Sequence, residues 1–453
     1  MRNAETVGYR HLGRLPFHLR LWKKINGTEG SLRWLVRGMR RGWRIPVAVI
    51  WRGTLRPLHL VAVTGSGGKS TTVALLGNIF SAVGPTRIGV GFNTRYGVAR
   101  SIIRARRSDR YWVQEVSGHE AGAVTLTARL LRHSVAVVTT IGTDHYKEFR
   151  SKEAIADEKS ALVAMLPPGG TAVLNADDPL VLEMAQKTNE RVVTFGKSGA
   201  ADIRVVDHCS RFPERLHLTV TDRNQTLPVR TRLIGERWIT SVLAAIACGQ
   251  ALGIDLQTCI HAVEAQEPSH GKDSVHEIED GPTIILDTVK APLWTMQSSI
   301  DMVCDSTSLR RTMVFGTISD YAGSSSQKYR RIAHAALGVC DRVLFVGQSS
   351  ERVARMLPDN KDRLFAFAST KEASDFLMAT ALAGELIYIK SSGIDHLERI
   401  LYQWRAPIRC WVESCRKSFA CDYCKQLYEH GRTRRTGFNP DAPANTGNGA
   451  SAA

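Results

Sequence analysis

A strand, a glycine-rich turn and a helix follow one another between Leu58 and Val83, and few folds accommodate that order. Leu58, Leu60, Val61, Ala62 and Val63 form a short apolar run that predicts a buried strand. Thr64-Gly65-Ser66-Gly67-Gly68-Lys69-Ser70-Thr71 comes next, and its glycines let the backbone turn tightly and approach a ligand. From Lys69 onward Val73, Leu75, Leu76, Ile79, Phe80 and Val83 recur at helical spacing. Together these make a phosphate cradle, with amide groups and a helix N-terminus facing anionic oxygens. Lys69 would reach the β- and γ-phosphates of a nucleoside triphosphate and the Ser70 hydroxyl would sit on Mg²⁺. Val63 stands where the longer GxxxxGK[ST] pattern has its first glycine. A bare GK[ST] recurs by chance, so it is the flanking strand and helix that favour a nucleoside triphosphate site over a structural turn.

The chain of 453 residues has room for two or three domains. Its 43% hydrophobic and 23% charged residues are those of an ordinary globular protein. Neither a bilayer-spanning apolar run nor a secretory signal is present, so a cytoplasmic location is expected. Cys209, Cys248, Cys259, Cys304 and Cys340 are scattered singly, unlike a disulfide framework. The net charge of +17 is concentrated before the glycine turn and after Arg399. Residues 1–57 interleave thirteen arginines and lysines with Trp22, Trp34, Trp43 and Trp51. Such a stretch can be a helical arm packed on the next domain, or can lie on an anionic membrane or a nucleic acid. The arm is preferred, membrane-surface contact comes second, and nucleic acid is disfavoured.

Tyr111–Val116, Val135–Ile141 and Thr171–Leu174 read as further buried strands, and Ser151–Leu166 as a helix stopped by Pro167-Pro168-Gly169-Gly170. Strands alternating with helices predict a mostly parallel α/β sheet. Leu216–Val220 and Leu227–Leu233 form an appended hairpin, and Trp238–Leu252 a helix ended by Gly253. From about Gly271, Thr283–Leu286, Thr312–Phe315, Arg342–Val346, Leu364–Ala368 and Leu386–Ile389 outline a second, smaller Rossmann-like domain. The expected division is a basic arm over 1–57, a central ATP-binding domain over 58–267 and a C-terminal domain over 268–405. A cysteine cluster over 406–430 and a disordered tail over 431–453 complete it.

Four clusters follow the glycine turn in the first domain: Glu115-Val116-Ser117-Gly118-His119, Asp144-His145, Lys159 within a helix, and Asn175-Ala176-Asp177-Asp178. Ligands of a parallel sheet sit beyond the carboxyl ends of its strands, which places Glu115 and His145 on the same edge as the cradle. Hard Mg²⁺ prefers the carboxylate of Glu115, and a histidine after a strand is more often a packing residue than a ligand.

Taken together, Thr64–Thr71, the Glu115 segment, Asp144-His145, Lys159 and Asn175–Asp178 resemble the motif set of the Mur ligases, in order and over about 115 residues. The resemblance implies ATP-dependent ligation of a small-molecule carboxylate to an amine through an acyl phosphate. Glu115 would then bind one Mg²⁺, His145 a second, Lys159 would be carbamylated, and Lys69, Lys159, His145 and Glu115 would form the catalytic set. The implied nucleotide contacts are Thr64 to Thr71, Asn175, Lys272 in Gly271-Lys272, and Asp287 and Lys290 in Asp287-Thr288-Val289-Lys290-Ala291-Pro292. Several positions depart from the family. Arg237, Trp238 and Ser241 replace a histidine and two asparagines that help hold the base, Lys272 replaces an arginine, and Lys290 replaces a histidine. Residues 1–57 are too short and too basic for the domain that holds a UDP-sugar, which leads to the expectation of an acceptor without that handle. A catalytically altered ATP-binding scaffold or simple NTPase is the alternative these departures leave open.

Cys410 and Cys415 enclose four residues, and Cys421 and Cys424 enclose two. Four thiolates so spaced can close a tetrahedral Zn²⁺ site, against the alternative of reduced, unliganded cysteines.

Overall fold

The computed structural model describes residues 42–55, 59–91, 93–144, 146–413, 415 and 421–428. His145, Leu58, most of the basic arm and the 431–453 tail lie outside the described residues.

The described chain is a mixed α/β protein built on two sheets. In the first, β1 (His59–Thr64), β2 (Thr86–Gly89), β3 (Tyr111–Glu115), β4 (Val135–Val138), β5 (Thr171–Asn175), β6 (Arg191–Gly196), β7 (Ile203–Cys209), β8 (His217–Thr221) and β9 (Thr226–Arg230) take the order β2-β3-β1-β4-β5-β6-β7-β8-β9. Pairing is parallel up to β7 and antiparallel across β7, β8 and β9. Both faces are covered, which explains the continuous apolar strands. Val61 and Val63 face one core with Phe80 and the helix Ile239–Ala251, while Leu60 and Ala62 face another with Leu131 and Ile155. The strand before the glycine turn lies between β3 and β4, where the chain reverses direction across the sheet, and a crevice opens beyond its carboxyl end.

The second sheet contains β10 (Ser274–Glu277), β11 (Thr283–Asp287), β12 (Arg311–Phe315), β13 (Arg342–Val346), β14 (Leu364–Phe367) and β15 (Leu386–Lys390). Their order is β10-β11-β15-β12-β13-β14, parallel except for the β10–β11 pair.

The first sheet departs from the sequence reading most in one strand end and in one connection. The run Val135–Ile141 leaves the sheet after Val138, because the Asp178 carboxylate accepts from the Ile141 amide at 2.7 Å and the Thr140 hydroxyl at 2.9 Å and pulls that stretch into a loop. The hairpin is no appendage: β7 joins it to the main sheet. At the amino end, Arg44–Thr54 is a helix packed on the helices Arg95–Ile103 and Ala123–Leu131. Ala48 is buried there, Trp51 Nε1 donates to the Ala105 carbonyl at 2.9 Å, and Arg52 Nε to that of Leu131 at 2.6 Å. Ile408, Cys421 and Leu427 belong to the same apolar core as β15 and the helix Arg399–Arg405.

Candidate functional site

The cradle is set by backbone geometry. Gly68 caps the helix Lys69–Val83 in the left-handed region (φ 77°), and no side chain caps the first amides. Those amides are orphan donors at the positive end of a helix dipole, which is the local requirement for binding phosphate. Gly65, at φ 140°, lies so close to Thr139 Oγ1 that no Cβ fits. Lys69 is buried, with Nζ 2.5 Å from the Gly65 carbonyl and 3.5 Å from that of Ser66. Burial and the neighbouring Lys159 lower its pKa to about 8, with Asp144 and Glu115 opposing.

Ser70 and Glu115 meet as the strand edge predicts. Ser70 Oγ donates to Glu115 Oε2 at 2.9 Å, the Gly91 amide to the same oxygen at 3.2 Å, and Asn93 Nδ2 to Oε1 at 3.0 Å. Burial alone would raise the Glu115 pKa, but Lys69, Lys272 and these hydrogen bonds hold it below the ordinary value. An ionised carboxylate beside a hydroxyl at a phosphate cradle is a hard-oxygen donor set that suits Mg²⁺. The next pair lies across the loop: Lys159 Nζ is 3.3 Å from Asp144 Oδ2, and Ser66 Oγ donates to the other oxygen of Asp144. Lys159 is 1% exposed; burial lowers its pKa, more than Asp144 raises it.

Asn175 plays a bracing part. Its Nδ2 donates to the Thr139 carbonyl at 2.8 Å and its Oδ1 accepts from the Asp177 amide at 3.0 Å, so it holds the loop behind the cradle. From the second sheet, Lys272 and Lys290 face the same crevice: Lys272 acts electrostatically on Glu115, and Lys290 on Lys69 and Lys159. Asp287 is turned elsewhere, into a buried network across the two sheets. Arg237 lies 2.8 Å from Asp287 and pairs with Asp273, whose carboxylate also accepts from Trp238 Nε1 at 2.8 Å and from the Tyr388 hydroxyl at 2.7 Å. Lys390 Nζ is 2.5 Å from Asp287 and 3.0 Å from the Lys290 carbonyl. Ser241 is buried and its hydroxyl donates to the Gly68 carbonyl at 3.4 Å.

Trp294 belongs to no sequence motif. A methyl built on Gly67 would come within 2.7 Å of its indole and one on Gly142 within 2.6 Å, so the ring from the second domain lies directly on the cradle. Its Nε1 is buried without a partner among the described residues, an orphan donor beside a phosphate site. Only its position just after Pro292, in the stretch opened by Asp287, hinted at this. Of the expected metal ligands, His145 lies outside the described residues.

The fold and the cradle define the class: an α/β protein with a P-loop central sheet, a second α/β sheet across the crevice and a cluster of lysines between them. Comparison with known proteins narrows it. The Mur ligase middle domain matches residues 63–249. The UDP-N-acetylmuramoyl-tripeptide–D-alanyl-D-alanine ligase of Mycobacterium tuberculosis is 28% identical over 298 residues, covering 64% of this chain. The enzyme of the same name from Synechocystis is 26% identical over 366 residues, which is 79% of this chain and 76% of that protein. The chain spans 58% of the length of the Mycobacterium tuberculosis and Mycobacterium bovis relatives. Among solved structures, MurF from Acinetobacter baumannii superposes with a TM-score of 0.73 at 24% identity, covering 80% of each chain. MurF ligase from Thermotoga maritima in complex with ADP superposes at 0.72 and 20% identity, covering 81% of this chain and 84% of that one. Residues 63–249 thus carry a Mur ligase middle domain, and the chain is similar to Mur ligases over most of its length.

Proposed function

We propose that this chain is an ATP-dependent ligase that joins a small-molecule carboxylate to an amine, through an acyl phosphate. The observation that carries the reading is the convergence of Lys69, the Ser70–Glu115 pair at 2.9 Å and the Lys159–Asp144 pair at 3.3 Å on one crevice that Lys272 and Lys290 close from the other sheet. In the first step the acceptor carboxylate attacks the γ-phosphorus and the bond to the ADP oxygen breaks. In the second the amine attacks the acyl carbon, phosphate leaves and the amine gives up a proton. Negative charge grows on the transferring oxygens, so fixed cations lower the barrier. Lys69, Lys272 and Lys290 supply them, and Trp294 excludes water above the cradle. Mg²⁺ held by Ser70 and Glu115, with a second ion at His145, would add Lewis-acid stabilisation. Lys159 is read as a carbamate: its lowered pKa favours the neutral amine that can add to carbon dioxide, releasing one proton.

Phosphate release that needs ATP, a carboxylate and an amine together tests this reading. Hydrolysis indifferent to the amine would instead favour a simple NTPase, and ATP binding without turnover a scaffold, which the Arg237 and Trp238 substitutions keep as the second reading. The helix Arg44–Thr54 and its flank expose Trp43 and Ile50 beside basic residues, which supports a proposed contact with an anionic membrane surface. Co-sedimentation of the full chain with anionic but not neutral vesicles tests that contact. Zn²⁺ at the terminal cysteines is a proposal independent of the ligase reading.

A further inference from the structure

Cys410, Cys415, Cys421 and Cys424 come from both ends of the terminal segment, yet all four line one cavity of about 70 Å³, together with His396 and Arg399. None of the four is in a disulfide. The segment is folded to bring them there. The amides of Arg409 and Cys410 donate to the Leu427 carbonyl at 2.7 and 3.4 Å, which ties the first cysteine to the last turn. The Cys424 amide donates to the Cys421 carbonyl at 2.8 Å and the Leu427 amide to that of Cys424 at 3.0 Å, so the closely spaced pair sits on a tight knuckle.

The opposite wall belongs to the loop that follows β15. His396 is 2% exposed, and it sits in the left-handed region at φ 53°. Its Nδ1 is 3.5 Å from Cys421 Sγ and 3.2 Å from Glu398 Oε1; donor atoms of these three residues lie within 4.8 Å of one another, the one such group among the described residues, and Cys410, Cys415 and Cys424 line the same cavity around it. Its Nε2 is buried with no partner among the described residues. Arg399 is 1% exposed and donates to four carbonyls, those of His396, Cys410, Val412 and Asp395, at 3.0 to 3.4 Å. None of these acceptors carries a charge, so the guanidinium is a buried cation that a nearby negative charge would stabilise.

We propose that this cavity holds one Zn²⁺, bound by the thiolates of Cys410, Cys415, Cys421 and Cys424, with His396 and Glu398 orienting the Cys421 sulfur from outside. Soft thiolates select zinc over the hard cations of the ATP site. Four thiolates around Zn²⁺ carry two negative charges, which Arg399 offsets. Four protein ligands close the coordination sphere, so the ion is structural. What it braces is the loop after Lys390, where the Asp395 carboxylate accepts from the Thr317 amide and hydroxyl, each at 2.7 Å, beside the crevice.

The full chain, purified without chelator, should contain one zinc per molecule, released in step with thiol modification by a mercurial reagent. Cobalt exchanged into the wild-type chain should give the intense absorption of a tetrahedral thiolate complex, a readout that does not rely on any variant folding. Cys424→Ser should lose most of the metal. His396→Gln should retain it but yield it to a competing chelator roughly 10–100-fold more readily. The proposal is overturned by a metal-free protein whose four thiols alkylate in the native state, or by iron and inorganic sulfide in place of zinc. A His396→Gln variant that holds zinc as tightly as the wild type overturns the assigned role of the histidine.

Discussion

Replacing Arg237 with methionine should uncouple the two sheets. Arg237 belongs to the first domain and its partners Asp273 and Asp287 to the second, so the cation bridges them. In the variant, Asp287 keeps Lys390 at 2.5 Å, whereas Asp273 keeps only the Trp238 N–H and the Tyr388 hydroxyl. One buried carboxylate is thus left without a directly paired cation, with only the more distant Lys390 acting on it, and breaking a buried pair in this way costs about 3–5 kcal/mol. With a urea slope of about 3 kcal/mol per molar, the midpoint of the affected transition falls by about 1–1.7 M. Far-UV circular dichroism and tryptophan fluorescence, followed together, should show one transition splitting into two. The loss should also depend on pH. Burial already raises the Asp273 pKa and Arg237 is the main group that lowers it, so the variant raises it further. A carboxylate whose folded pKa lies above its unfolded one loses stability as pH rises through the folded value. The deficit should therefore be smaller at pH 5 than at pH 8, and Asp273→Asn in the same chain should recover part of it. A loss below about 1 kcal/mol, or one equal at both pH values, refutes the reasoning.

Lys69→Ala should abolish amide formation with the urea midpoint little changed, since the amine acts on charge that develops in the transition state; near-normal turnover would remove Lys69 from the site. In the wild type, kcat/KM for ATP should decline as pH rises through about 8, where the free Lys69 amine loses its proton, and a profile flat to well above that value would contradict it. Lys159→Ala should be inactive and partly rescued by a short carboxylic acid that fills the space beside Asp144; full activity without rescue would exclude the carbamate. Trp294→Ala should raise the KM for ATP several-fold with a smaller change in kcat, and an unchanged KM would mean that the indole does not touch the occupied site.

The alternation of strands and helices was legible because both sheets are buried on two faces, so their central strands are continuous apolar runs. What the sequence concealed were the strands at edges and joins. In β2, Thr86 and Arg87 break the apolar pattern, and β7 alternates between buried and exposed residues as the sheet turns from parallel to antiparallel pairing. The early end of β4 was hidden for a different reason. Thr139 to Ile141 have strand-forming side chains, and it is the carboxylate of Asp178, more than thirty residues away, that takes their backbone out of the sheet.

The same division between near and far runs through the candidate site. Lys69, Ser70 and Glu115 stand out because each sits at or just beyond the carboxyl end of a strand in a short motif whose residue type is the chemistry; Lys159 stands out only through the family resemblance, and Asp144 only as the neighbour of His145. Asp273 and Trp294 do not, since nothing local marks a residue that acts only across a crevice. Arg237, Trp238 and Ser241 lie between these cases: they stood out as departures, in positions where the family resemblance implies contacts to the nucleotide base. In the structure all three make contacts within the protein, Arg237 and Trp238 with Asp273 and Ser241 with the Gly68 carbonyl. A histidine and two asparagines can hydrogen-bond a base, but they cannot supply the permanent cation that the facing Asp273 and Asp287 require. The substitutions and the second-domain carboxylates therefore form one unit, and that unit holds the two sheets together where the resemblance places a bound base.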